Sequence, residues 1–207
     1  MATNSSGKEL TTTSYAVLGL LAIQPWSAYE LAKQMRRSMA FVWPAAERSV
    51  YQEPKHLLAH GLVRAKTETT GARERTVYRI TPAGRKALAS WLGEESAAPS
   101  FQSEALLRST FAEFGSKEDL LATLREFREH VAALRAGAEA VGRSYLAGEG
   151  PFPERVHIVA LNGAFILDWS QLAERWAARA AGIVEAWEDT TSPDQFPGAL
   201  DEFRRRL

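Results

Sequence analysis

Arg48, Ser49, Tyr51, Gln52 and Lys55 crowd into one short stretch of chain, RSVYQEPKHLLAHGLV. Lys, Arg and Ser suit phosphate oxygens, and Gln can pair two hydrogen bonds with adenine in the major groove. Lys66, Arg73 and Arg75 follow in VRAKTETTGARERTVYRIT and offer three more cations to phosphates or a minor groove. His56 and His60 stand four residues apart, so they share a helix face, a spacing able to bind zinc or nickel. No H-E-x-x-H accompanies them, and no carboxylate or thiolate sits in a matching local motif. A surface histidine and a helix-end histidine near Gly61 account for them as well, so no metal is expected. The chain has no nucleophile elbow, phosphate-binding loop or dinucleotide fingerprint. No catalytic residue and no cofactor is therefore expected.

Charge supports a polyanion partner. The 207 residues have a formal net charge of zero, but residues 1–90 hold 13 Lys and Arg against 6 Glu, a net +7, and the remainder carries −7. A basic half joined to an acidic half points the first half towards nucleic acid. The absence of cysteine removes disulfides and thiolate chemistry and fits a reducing compartment. The start, MATNSSGKELTTTS, lacks the apolar core of a signal peptide, and no apolar run approaches membrane-spanning length. The expected location is the cytoplasm.

The elements that must position these residues are short. TTTSYAVLGLLAIQPWS reads as a buried helix ending before Pro25. Ser27 and Glu30 form an S-x-x-E capping box for a second helix, with Leu31 and Met35 inward and Lys33, Arg36 and Arg37 outward. The third helix carries the polar cluster and stops near Gly61. Alternation then predicts a hairpin turning at Gly71, with Thr76, Tyr78 and Ile80 on one face and Arg75, Val77 and Arg79 on the other. Thr81 and Pro82 open a fourth helix. Three short helices followed by a basic hairpin is the order of a winged helix-turn-helix, in which the third helix enters the major groove and the wing touches flanking backbone. A winged-helix module for protein assembly, without DNA, is the competing reading.

SAAPS, residues 96–100, marks a boundary, and helical patterning follows. The expected division is a disordered 1–10, a DNA-binding domain at 11–96, a helical dimerisation and effector domain at 97–190 and a C-terminal tail at 191–207. The fold class is mainly α with a small β-hairpin wing. FQSEALLRSTFAEFG predicts a short helix ending near Gly115, and Ser116 caps a long one. Along it Leu124, Phe127, Val131, Leu134, Ala138 and Val141 repeat as a heptad seam. A second long helix carries Leu161, Phe165, Trp169, Leu172, Trp176, Ile183 and Trp187. Two helices alone make a thin core, so the first seam is expected to pair between two copies of the chain. Trp91, Phe165, Trp169 and Trp176 are tentative walls for a small aromatic effector, with core packing as the alternative. Asp168 is read either as outward-facing or as a buried partner of Arg175 or Arg179.

VLGLLA at 17–22, YELAKQM at 29–35, SVYQEPKHLLAHGLV at 49–63 and YRITPAGRKAL at 78–88 together resemble the PadR family of bacterial transcriptional regulators. LLRSTFAEFGSKEDLLATLREFREHVAAL resembles, more weakly, the longer C-terminal domain of the branch similar to the virulence regulator AphA. The resemblance implies a homodimeric winged-helix repressor, sometimes an activator, bound to an inverted repeat of double-stranded DNA. It also implies release by small, often aromatic, molecules. The chain departs from the family pattern at Ala28, where Gly is usual, and at Gln52 and Pro54, where Pro and Leu are usual.

Pro54 lies inside the expected reading helix, where it removes a hydrogen bond. Ser49 and Gln52 form an S-x-x-Q capping pattern, and a helix starting there would hold Pro54 just past its first turn. A helix starting near Ala45 would instead be interrupted at mid-length, re-aiming Tyr51, Gln52 and Lys55.

Overall fold

The computed structural model describes residues 9–70, 73–192 and 196–207. They fall into two units that divide between Ala98 and Pro99.

In the first unit, α1 (Thr12–Ile23) starts at a capping box in which Thr11 and Ser14 satisfy each other's backbone N–H. It buries Val17, Leu18, Leu20 and Leu21. The two-residue strand β1 (Trp26–Ser27) leads into α2 (Ala28–Ser38), where the Ser27–Glu30 box forms as the spacing predicts. Leu31 and Met35 are buried, and Ala32 joins them. Then come α3 (Glu47–Ala59), β2 (Val63–Thr70), β3 (Arg73–Ile80) and α4 (Pro82–Leu92).

The strands make a three-stranded antiparallel sheet in the order β1-β3-β2, pairing Trp26 with Tyr78 and Val63 with Ile80. The alternation in sequence announces only the hairpin, because two residues of β1 are too few to show a period. Val77, Tyr78 and Ile80 are all buried, so the base of β3 is covered on both faces. The expected turn at Gly71 lies outside the described residues. Thr81 locks α4 in place. Its hydroxyl oxygen lies 2.9 Å from the Gly61 carbonyl and accepts from the Gly84 N–H at 3.1 Å. Gly84 backs directly onto Leu62, and a Cβ there would lie 2.2 Å from the Leu62 carbonyl oxygen, so only glycine fits.

In the second unit, α5 (Glu104–Thr110) and a 3-10 turn precede α6 (Lys117–Leu146), which Ser116 and Asp119 cap reciprocally. α6 packs along α7 (Val156–Glu185). The seam expected to join two chains is used within one. Leu124 and Val131 are buried in the single chain, and Phe127 meets Trp176 edge-on with ring centres 5.6 Å apart. Leu134 and Ala138 are half-buried, and Val141 stays open. The buried residues of α7 are Ser170, Ala173, Ala177 and Val184, mostly small residues that allow close approach, and Trp176 of the large apolar pattern joins them against α6. Arg135 Nε donates to Glu174 Oε1 at 2.7 Å across the pair. Lys117 Nζ donates to the carbonyls of Glu185 and Trp187 at 2.9 and 2.6 Å, placing a cation at the C-terminus of α7, where the helix dipole favours it. Asp168 is exposed, the outward alternative. The segment expected to be a tail contains a further helix, α8 (Phe196–Arg204), and Arg179 of α7 reaches Glu202 of it at 3.6 Å.

Candidate nucleic-acid interface

α3 settles the question of Pro54. The helix begins at Glu47 behind Ala46, with no side-chain cap, so the Ser49–Gln52 box does not form. Ser49 is already the third helical residue, and the helix runs on through Pro54 to Ala59. Pro54 therefore sits at mid-helix and leaves the Val50 carbonyl without its usual donor. Its ring is fully buried, on a face shared with Val50, Glu53 and Leu57. Spacings of 3, 4 and 7 residues put these four on one side. The opposite side carries Arg48, Tyr51, Gln52 and Lys55 at the same spacings; Tyr51 is half-buried and the other three are exposed, as is Ser49 beside them.

Besides this packing, a polar contact ties the start of α3, and another the turn before it, to the rest of the unit. Arg36 near the end of α2 pairs with Glu47 in the first turn of α3. Trp43 Nε1, in the turn between those helices, donates to Thr13 Oγ1 of α1 at 3.0 Å. Pro54→Leu would supply the missing N–H while placing a larger side chain in the core. We expect the variant to fold and, with α3 as the DNA-reading helix, its base preference to shift. Unchanged preference in a binding selection would show that the proline only packs.

The wing cations divide into two kinds. Lys66 is exposed on β2 and, like Arg48 and Lys55, forms no salt bridge among the described residues. Arg75 is already engaged: its guanidinium donates to Glu30 at 2.9 Å and lies 3.7 Å from Glu68. Burial pushes the Glu30 carboxyl up, but hydrogen bonds from Ser27 and the Arg75 charge outweigh it and hold the group below the usual carboxylate range. Arg75 thus ties the wing to the start of α2. The Arg73 side chain lies outside the described residues.

Sequence reasoning passed over Glu53. It is buried at 7% exposure, an unusual place for a carboxylate, and its Oε2 lies 3.4 Å from His56 Nδ1. A carboxylate therefore does accompany the histidine pair, one turn before it. The signal was its place on the same stripe as Val50, Pro54 and Leu57.

Within their own units, Trp91, Trp169 and Trp176 each pack on a neighbour. Trp91 stacks on Tyr15 with ring centres 4.9 Å apart and planes 4° from parallel. Trp169 tilts against Phe101, and Trp176 packs on the cluster of Leu120, Leu124 and Val184. Phe165 is 61% exposed. A cavity of about 150 Å³ in the second unit has other walls, among them Arg108, Phe111, Ser116, Asp119 and Leu120.

Residues 17–90 match the transcriptional regulator PadR-like family. The chain carries a PadR-like domain. Over 81 residues it is 35% identical to the probable transcriptional regulator Rv1176c of Mycobacterium tuberculosis, covering 39% of this chain and 43% of that one. Over 107 residues it is 27% identical to the negative transcriptional regulator PadR of Bacillus subtilis, covering 51% and 59%. The matches thus span less than two thirds of either curated relative. Bacillus subtilis PadR in complex with operator DNA superposes with a TM-score of 0.69 at 21% identity, over 84% of this chain and 99% of that one. The same protein has been solved with p-coumaric acid, at a TM-score of 0.63 and 20% identity over the same shares. The Vibrio cholerae virulence activator AphA superposes at 0.64 and 24% identity, again over 84% and 99%. The fold is that of these regulators: a PadR-like winged helix followed by a helical unit.

Proposed function

We propose that the chain is a homodimeric, sequence-specific DNA-binding regulator of transcription, acting as a repressor. One observation carries the reading: α3 buries Val50, Pro54 and Leu57 and turns Arg48, Gln52 and Lys55 to solvent on its opposite side. A helix built this way can lay a cationic, hydrogen-bonding face into a major groove. Arg48, Ser49, Tyr51, Gln52 and Lys55 read and grip the site, while Lys66 and Arg73 hold flanking phosphate. Arg75 contributes by fixing the wing. Repression is the sense in which Bacillus subtilis PadR is named a negative regulator.

The two-fold partner is a second copy. Leu161, Phe165 and Leu172 of α7 are 71%, 61% and 61% exposed and fall at spacings of four and seven residues. An apolar stripe of that kind on a single chain marks an interaction face. Two copies of α3 then enter successive grooves about 34–36 Å apart, and the operator is an inverted repeat. A small aromatic effector, of the size of the p-coumaric acid in the complex of Bacillus subtilis PadR, fits the aromatic content of the second unit.

Salt titration of DNA binding tests the reading. Lys55→Ala is expected to weaken binding to all sequences alike and to reduce the salt slope by about one unit. Gln52→Ala should relax preference at one base pair per half-site by about 1–3 kcal/mol. Absence of steep salt dependence in the wild type would favour the protein-assembly module instead.

A further inference from the structure

We propose that the last turn of α3 is a binding site for a divalent transition-metal ion, held by Nε2 of His56 and Nε2 of His60. These two nitrogens lie 3.1 Å apart, and the rings stand at 88° with centres 4.7 Å apart. Two imidazole ligands at 2.0–2.1 Å from zinc, at the tetrahedral angle, sit roughly 3.3–3.4 Å from each other. The separation of the two nitrogens is within a few tenths of an ångström of that value before any ion arrives.

The surroundings supply what a working histidine ligand needs. His56 Nδ1 faces Glu53 Oε2 at 3.4 Å, and Glu53 is buried and acceptor-only when ionised. With the proton drawn to Nδ1, the Nε2 lone pair of His56 is directed outward, the carboxylate–histidine–metal arrangement of many metalloproteins. The short Nε2 to Nε2 contact then requires His60 to donate. On ion binding that proton moves to His60 Nδ1 and both Nε2 lone pairs point at the metal. His60 is exposed at the end of the helix, so solvent can fill the remaining coordination positions. Two imidazoles select zinc, copper or nickel over magnesium or calcium. The ion would join two successive turns and brace the end of α3 ahead of Gly61. This site stands without the DNA-binding reading, since its residues and geometry belong to the chain alone.

Calorimetric titration of the full chain with zinc chloride, without DNA, is the test. One ion per chain is expected to bind, magnesium chloride should give no binding heat, and His56→Ala or His60→Ala should each remove the site. Glu53→Gln should weaken the ion by about 10–100-fold while leaving it bound. His60 is exposed, so His60→Ala should retain the wild-type circular dichroism. Equal zinc affinity in wild type and His60→Ala would overturn the proposal, as would no zinc binding by the wild type at micromolar concentration.

Discussion

A Leu172→Asp chain is expected to sediment as a monomer at concentrations where the proposed dimer forms, while keeping the wild-type helical circular dichroism. Leu172 is 61% exposed in the single chain, so a charge there disturbs no packing within it. In a dimer that buries the α7 stripe, the same charge would lie unpaired in an apolar interface. Operator affinity falls with assembly, because linking two half-site contacts multiplies affinity by about 10²–10⁴ over one. Sedimentation at several concentrations, run beside a binding assay on the full inverted repeat, measures both effects. A variant that still dimerises with wild-type affinity moves the interface off this stripe.

Val131→Asp is expected to behave differently, by destabilising the helical unit itself. Val131 is 4% exposed between α6 and α7, and Arg135, one turn on, is already engaged by Glu174 and Glu139, so a carboxylate there competes for a cation in use. Leaving a buried charge uncompensated costs about 3–5 kcal/mol, a large share of the about 5–15 kcal/mol that holds a domain together. Loss of helical circular dichroism and an early melting transition are the expected readouts. A Val131→Asp protein that stays folded and simply becomes monomeric would return the α6 seam to the space between chains. The two substitutions thus separate an internal seam from an external face, a distinction that sedimentation of either variant alone cannot make.

Much of this architecture is readable from local chemistry. The Ser27–Glu30 box, the Thr81–Pro82 start of α4 and the Ser116 cap of α6 all form as the spacing of their residues requires. Caps are bargains between residues three apart, so three letters suffice to state them. The period-2 pattern of β3 and the basic character of the first half are likewise local or additive properties. The family signature lies in the same segments.

What needed the folded chain was the choice among faces that sequence leaves equivalent. Ser49 and Gln52 satisfy the capping pattern but lie inside a helix that begins at Glu47. Packing against α1 and α2 sets that start, and Val50 and Leu57 must turn inward whatever Ser49 could do. The same packing buries Glu53 and brings it to His56. Arg75 reads as a phosphate contact until the fold brings Glu30, 45 residues away, to its guanidinium. On α7 the large apolar residues announce a seam, yet Leu161, Phe165 and Leu172 stay exposed while Ser170, Ala173 and Ala177 are buried with Trp176 beside them. Close helix contact rewards small side chains as much as it rewards apolar ones, and only the distance between two axes decides between them. Sequence by itself determined most of the helices, the hairpin, the inward face of α2 and where the cations lie; β1, α8, the start of α3 and the buried faces of α3 and α7 were decided by tertiary structure.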